Sequence, residues 1–333
     1  MINKKNISII IPVYNEQENI PTVYTQVTAV MQSLAAVYDY EFIFVNDGSK
    51  DSSWPLLAQL SQADDKVRAL HFSRNFGHQA ALSAGYAHAH GDAVITMDAD
   101  LQDPPTLLLE MIKRWEQGAQ IVYARRIDRN DTFLKRWSAY MYYKILDSVA
   151  DVMIPRNVGD FRLLDAQVVH LINNMPERAR YLRGLVAWTG FAHAFVDFKR
   201  PDRAAGITGY TWKKMFRLAF DGLTGFSTMP LKVALYLGVV MMAISSTLFG
   251  YLCVTALFGA AHGLVAWGIA AIIFCMGMQS LCIWMLGEYI GRIYEQQKER
   301  PLFIVAQEIG TLKHKEAMLD VSRDRHSNHR ELR

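Results

Sequence analysis

This sequence predicts an α/β fold with a largely parallel sheet, followed by two C-terminal transmembrane helices with amphipathic helices beside them. Three observations predict it. From residue 7, short β-prone apolar runs alternate with segments of helical periodicity. Carboxylates recur where those runs end: Glu16, Asp47, then Asp98 and Asp100. The apolar excess of a chain that is 51% hydrophobic is concentrated after residue 230.

The elements follow in order. Residues 7–13 form a continuous apolar run ending at Pro12-Val13-Tyr14-Asn15-Glu16, and helical periodicity continues to about Val37. Residues 41–45 are the second strand, broken at Asn46-Asp47-Gly48-Ser49. Asp51, Ser52 and Pro55 then open a helix in the order of cap and first-turn proline. Residues 67–72 are a third strand, 75–90 an Ala-rich helix, 93–97 a fourth strand and 121–124 a fifth. Such alternation favours parallel strands with helices on both faces.

With 333 residues there is room for about two domains. Lys and Arg number 35 against 32 Asp and Glu, and a formal charge of +3 gives no reason to expect a nucleic-acid partner. The three cysteines, Cys253, Cys275 and Cys282, all lie in the late apolar segments. They read as membrane-buried thiols, neither a disulfide framework nor a metal cluster. Met1 to Asn6 is polar and runs straight into a strand, so no secretory signal peptide is expected.

The turn after the first strand lacks the Gly-x-Gly-x-x-Gly of dinucleotide-binding folds, and no phosphate-binding P-loop occurs. Residues 94–105 instead end a buried strand with Asp98-Ala99-Asp100-Leu101-Gln102-Asp103-Pro104-Pro105. The prolines suit the first turn of a helix. Acids at the carboxyl edge of a sheet lie where open α/β folds bind ligands. Alternate residues at a strand end can share a cation, and hard oxygen donors select Mg²⁺ or Mn²⁺. On spacing alone, a solvated, helix-capping loop is the better reading, and it is the context that changes it.

Ile-Pro-Val-Tyr-Asn-Glu (11–16), Val-Asn-Asp-Gly-Ser-Lys-Asp (45–51) and the acid turn together resemble the signature of inverting family-2 glycosyltransferases of GT-A fold. Within these, the chain is most similar to polyprenyl-phosphate glycosyltransferases: bactoprenol glucosyltransferases, aminoarabinose transferases and, more distantly, dolichyl-phosphate mannose synthases. The resemblance covers about residues 7–305. It implies that Pro12, Tyr14, Glu16, Asp47 and Asp98 line the nucleotide pocket, and that Asp98, Asp100 and Gln102 hold Mg²⁺ or Mn²⁺. Val158-Gly159-Asp160-Phe161-Arg162 places Asp160 where similar enzymes carry the candidate catalytic aspartate, with Asp98 as its partner in catalysis. A phosphate acceptor has a second pKa near ~6 and hardly needs deprotonation, so Asp160 is open to orienting a sugar hydroxyl instead. Phe72-Ser73-Arg74-Asn75-Phe76-Gly77-His78 also fits the family, and no role is assigned to His78. Arg125, Arg136 and Arg203 are candidates for the acceptor phosphate, because guanidinium offers a planar fork. In Arg203-Ala-Ala-Gly-Ile-Thr-Gly-Tyr, Gly209 stands where the family usually has lysine, with Lys213 and Lys214 one helical turn later.

Residues 132–148 and 207–230 mix basic residues with aromatic, apolar ones, as helices in a headgroup layer do. Residues 231–258 carry no charge after Lys232 and reach roughly 40 Å as a helix, enough to cross a bilayer with tilt. A second uncharged run, 264–286, leads into a span ending near 288. Lys213, Lys214, Arg217 and Lys232 flank the entry, Arg292, Lys298 and Arg300 the exit, and the connecting turn has neither Lys nor Arg. The positive-inside rule then puts both termini in the cytoplasm of a bacterial inner-membrane protein. The expected organisation is a catalytic domain over 1–206, a juxtamembrane helix over 207–230, two spans over 231–290, and a C-terminal segment over 291–333 with a polar tail.

The expected reaction moves one sugar, glucose from UDP-glucose foremost, onto undecaprenyl phosphate with inversion, for cell-envelope glycan modification such as that of lipopolysaccharide. An amino-arabinose, GlcNAc or galactose donor, or a catalytically silent membrane scaffold, is the alternative. The resemblance further implies a homotetramer, with a flippase and a downstream transferase as partners.

Overall fold

The computed structural model describes residues 4–127, 155, 157–178, 180–199, 247 and 261–310. The expected helices over 132–148 and 207–230, nearly all of the first span, Cys253, Arg136, Arg203 and the tail from 311 lie outside them.

The chain order is β1 (Lys5–Val13), α1 (Ile20–Ser33), β2 (Tyr38–Asn46), α2 (Ser53–Ala63), β3 (Val67–Phe72), α3 (His78–His88), β4 (Ala93–Thr96), α4 (Leu107–Glu116), β5 (Ile121–Arg126), β6 (Val158–Asp165), α5 (Ala166–Asn174), α6 (Leu182–Trp188), β7 (His193–Phe198), α7 (Ala261–Gln297) and β8 (Val305–Ile309). One eight-stranded sheet runs β7-β5-β6-β4-β1-β2-β3-β8. β1 pairs in parallel with β2 and β4, β2 with β3, and β5 with β7. β6 is antiparallel to both β4 and β5, and β8 is antiparallel to β3. The expected parallel sheet is therefore mixed, because the first four strands alternate with crossover helices while β6 and β8 arrive from long excursions.

Alternate residues of β1 face opposite sides. Ile7, Ile9 and Ile11 pack with Val23 and Val27 of α1, whereas Ile10 joins Leu82 and Tyr86 of α3. Burial on both faces explains why these strands read as unbroken apolar runs. On α4, Leu108, Met111, Ile112 and Trp115 are buried at helical spacing, so one stripe meets the sheet and the rest meets water.

Two expected boundaries move. The prolines at 104 and 105 precede α4 by a turn, their carbonyls accepting from Leu107 and Leu108 N–H. The apolar run Leu302-Phe303-Ile304-Val305 reads as a late strand from the sequence, but the strand forms at Val305–Ile309 instead. Ahead of it, Phe303 stacks on Phe72 at 5.3 Å between centroids, and Ser73 N donates to Ile304 O. Trp54 Nε1 donates to Gln307 and Arg68 to Glu308, both at 2.9 Å, fastening β8 to the sheet edge.

The expected second span falls inside α7, a 37-residue helix. Among the described residues no helix is long and apolar enough to cross a membrane, so the two spans are not confirmed. α7 exposes Ile272, Phe274, Ile283, Leu286, Ile290 and Ile293. Cys275 and Cys282 are unbridged and half-buried on it. Its last turn docks on the segment after α5: Arg178 N donates to Gln296 Oε1 at 2.9 Å, and Gln296 Nε2 to Pro176 O at 2.5 Å.

Candidate functional site

The parallel strands β1, β2 and β4 all end at one edge, and the loops leaving them build the first wall. Val13 pairs with Asn46, so the loops after β1 and β2 start side by side. They are laced together: Asn15 N donates to Ser49 Oγ at 2.9 Å, Lys50 N to Asn15 Oδ1 at 2.9 Å, and Ser52 N to Gln17 Oε1 at 2.9 Å. Gly48 has φ +66°, and a Cβ there would stand 2.5 Å from Arg74 C, so only glycine fits. Met97 N donates to Ile10 O, which turns Pro12, two residues on, toward the same β4 side. Lacking an N–H, Pro12 cannot extend that ladder.

The residues expected on the nucleotide are placed along this wall. Tyr14 is 45% exposed at the mouth. Glu16 accepts from Asn19 Nδ2 at 2.6 Å, and its carbonyl receives Asn19 N and Ile20 N, which starts α1. Asp47 is buried; its carboxylate accepts from Phe76 N at 2.6 Å and Gly77 N at 2.9 Å. Burial raises the Asp47 carboxyl against the pull of those two amides. Its visible work is to hold the turn that delivers α3.

The acid turn forms the second wall. Leu101 takes φ +58°, a left-handed conformation costly for a branched side chain. It folds the turn back so that Asp98 N donates to Asp103 Oδ2 at 3.2 Å and Gln102 N to Asp100 Oδ1 at 3.1 Å. Gln102 and Asp103 are 8% and 1% exposed. Gln102 Oε1 and Asp103 Oδ1 are buried acceptors with no hydrogen-bond partner among the described residues. Burial, then the charge of Asp98, pushes the Asp103 carboxyl up to about 7. Burial also raises Asp98, against the attraction of His78.

Do these residues suit a divalent cation? They offer hard oxygen donors, two of them orphaned, so the chemistry fits. Among the described residues no three His, Cys, Asp or Glu side chains converge as a ready-made metal cluster. Mg²⁺ ordinarily takes only one or two carboxylates and completes its shell with phosphates and water.

The third wall comes from β6. Thr96 pairs with Arg162 in antiparallel register, so the next residues outward bring Asp160 opposite Asp98. Thr96 Oγ1 donates to Asp160 O. Arg162 Nη2 reaches Asp160 Oδ1 at 2.6 Å; Arg183 of α6 gives it Nε at 3.2 Å and Nη2, onto Oδ2, at 3.1 Å. His78 Nε2 lies 3.4 Å from Asp160 Oδ2 and 3.9 Å from Asp98 Oδ1, bridging the two acids. Burial alone would raise the Asp160 carboxyl, but Arg183, His78 and Arg162 outweigh it and hold the group well below the usual carboxylate range. A carboxylate held so low is a weak proton acceptor, which favours orientation over base work for Asp160. Burial opposes charge on His78, yet Asp160 and Asp98 raise the imidazole overall.

Asp98, Asp100, Gln102 and Asp160 are thus gathered at one edge, with Pro12, Tyr14, Glu16 and Asp47 on the adjoining loops. Among the described residues Arg125 is not brought to the acids of the turn: it forks onto Asp197 of β7 at 2.6 and 3.0 Å and stacks over Phe195. Its neighbour Arg126 faces the other way, close over Gly159, and its charge is felt by Asp98 and Asp103. Sequence reasoning missed His78, Asp103, Arg162 and Arg183. A signal existed for His78, since Ser73–His78 leaves the third strand at the same edge as the other loops. For Arg183 the signal was the run Glu177–Gly184, which resembles a family segment beside the active site; the packing of α6 is what brings this particular arginine to Asp160.

The chain matches the glycosyl transferase family 2 profile over residues 8–172. It is 42% identical over 306 residues to the uncharacterized glycosyltransferase YkcC of Bacillus subtilis, covering 91% of this chain and 94% of that protein. It is 40% identical over 304 residues to the bactoprenol glucosyl transferase of Shigella phage SfV, covering 91% and 98%. Among solved structures it resembles glucosyl-3-phosphoglycerate synthase from Mycobacterium tuberculosis in complex with Mn²⁺, uridine-diphosphate and phosphoglyceric acid, at 17% identity and TM-score 0.43 over 65% of this chain and 75% of that one. The mixed sheet with an acid turn after its fourth strand is the GT-A arrangement, and the chain belongs to the polyprenyl-phosphate glycosyltransferases of family 2.

Proposed function

We propose that this protein transfers one sugar, glucose from UDP-glucose foremost, to undecaprenyl phosphate with inversion at the anomeric carbon. The observation that carries the reading is the juxtaposition of the acid turn after β4 with the cation-rich surroundings of Asp160 on the neighbouring β6. The bactoprenol glucosyl transferases, similar over nine-tenths of the chain, supply the acceptor class.

In this reading the laced loops after β1 and β2 receive the nucleoside, with Tyr14 against the base and Glu16 in reach of polar groups. A divalent cation on Asp98, Asp100 and Gln102 would act as a Lewis acid for the departing diphosphate. The acceptor phosphate attacks from the opposite face, near Asp160. It arrives mostly as a dianion at neutral pH, so the protein orients rather than deprotonates it.

We place the protein in the bacterial inner membrane, with α7 and residues 231–258 as anchors and the catalytic sheet in the cytoplasm. The uncharged run 264–286, the apolar side chains that α7 exposes and the docking of its end beside residues 176–178 support this. Assembly as a homotetramer belongs to the same proposal.

The test is to incubate the purified full-length protein with undecaprenyl phosphate and UDP-glucose, UDP-GlcNAc, UDP-galactose or UDP-amino-arabinose, with and without EDTA. One donor is expected to yield a lipid-linked sugar, and chelation to abolish it. Turnover that survives EDTA would remove the cation; no product from any donor would remove the transferase reading.

A further inference from the structure

Residues 73–77 join β3 to α3 and belong to neither, yet they decide where His78 stands. Ser73, Arg74 and Asn75 are exposed, so burial of their own side chains does not fix them. The segment is held from two sides instead. On one side, Asp47 accepts from Phe76 N and Gly77 N, its carbonyl accepts from Asn75 Nδ2 at 3.2 Å, and Gly48 lies against the backbone of Arg74. On the other side stands the chain that returns from α7. Ser73 N donates to Ile304 O at 3.1 Å, and Phe303 stacks on Phe72 with 10° between the rings. Phe72 in turn meets Phe76 edge-on at 5.7 Å.

The pairing of β3 with β8 shifts register just here. Ala69, Leu70 and His71 pair with Ile309, Glu308 and Gln307, but Phe72 pairs with Val305, which leaves Ala306 as an extra residue. Side chains alternate across a strand, so a slip of one residue exchanges the faces. In the unshifted register Phe72 would share its face with Ala306 and Ile304, and Phe303 would point to the other side. The bulge brings Phe303 onto the face of Phe72 and leaves Ile304 50% exposed. Bulges beside active sites re-aim side chains in this way.

We propose that Phe303 is a positioning residue of the transferase: through Phe72 and Phe76 it holds segment 73–77 against Asp47 and so sets the aim of His78. This rests on the transferase reading above. His78 Nε2 lies 3.4 Å from Asp160 and 3.9 Å from Asp98, so a small displacement of the segment breaks its span between β6 and the acid turn. Asp47 is tied to the sheet by its own N–H, which donates to Val13 O at 2.9 Å, so the nucleoside's side of the site keeps its shape when the segment loosens. Residues 298–302 link the end of α7 to Phe303. The stretch that returns from the proposed anchor therefore braces the catalytic edge of the sheet.

The experiment uses the full-length protein in detergent micelles, with undecaprenyl phosphate as acceptor and the donor that the wild type turns over. Phe303→Ala is expected to lower kcat about tenfold or more, the scale of a site group displaced by under about 1 Å, while UDP affinity by calorimetry stays unchanged. Hydrogen exchange at the Phe76 and Gly77 amides is expected to quicken, with the β1 and β2 amides as protected as before. Phe303→Tyr, which keeps the ring, is expected to restore both readouts. Gln307→Ala removes the Trp54 contact but keeps the bulge and Phe303, and is expected to leave kcat unchanged. If Phe303→Ala does not fold, Phe303→Leu, which fills the space without a ring to stack, is read in the same way. An unchanged kcat, unaltered exchange at Phe76 and Gly77, or an equal loss of kcat in Gln307→Ala overturns the inference and leaves the transferase reading intact. A wild type that glycosylates no lipid from any donor overturns both.

Discussion

Asp160 shows at the scale of one residue why a carboxylate's neighbours matter more than its motif. It sits among Arg162, Arg183 and His78, and replacing it by asparagine leaves two guanidinium groups facing an amide. Removing one partner of a buried ion pair costs about 3–5 kcal/mol. Asp160→Asn is therefore expected to lose about that much stability at pH 7, read by urea denaturation. The folded carboxyl lies well below its ordinary value, so its contribution is complete above the unfolded pKa of about 3.9 and fades only as pH falls through the folded value. The gap between wild type and variant should stay flat from pH 7 to about pH 4 and close below that. A gap that closes near pH 6 would contradict the environment described for Asp160. Its position in the sequence, ahead of an apolar strand, drew attention to it; that Arg183 reaches it was not readable from that motif, because Arg183 lies 23 positions away on another element.

Element by element, the strands were the most legible part. Val67–Phe72 forms as its apolar run predicts, and 93–97 differs by one residue. The late strand was misplaced because residues 302–304 are the more apolar, whereas Val305–Ile309 holds the register. Gln307 and Glu308 find partners in Trp54 and Arg68, a contact no local pattern reveals. β8 covers the edge of β3 and its approach ties down Ser73, at the head of the segment that carries His78. Ending the chain at residue 304 is expected to bare that edge, lower the melting temperature by roughly 5–10 °C and promote aggregation. Thermal melts followed by circular dichroism, with light scattering, check this; unchanged melting would mean that β8 is an ornament of the sheet.

For the molecule as a whole, β8 constrains topology. It follows α7 and lies in the same sheet as β1 to β3, so whatever crosses a bilayer between residues 199 and 305 must cross an even number of times. This supports the proposed two spans with both ends on one side, as the distribution of lysine and arginine around them also does. Reporter fusions after residue 333 are expected to be active when they report the cytoplasm and silent when they report the periplasm. The reverse pattern would sink the two-span arrangement.

What the sequence determined by itself was the alternating α/β plan, the acids at the strand ends and the family, because strand and helix periods are local and catalytic turns are short. Only the tertiary structure decided that β6 runs antiparallel and carries Asp160 to Asp98, that His78 bridges them, that Arg183 joins from α6 while Arg125 is held by Asp197, and that the chain returns after α7 to close the sheet. These are pairings between residues far apart in the chain, settled by which faces pack and in which register, and no window of sequence contains both partners.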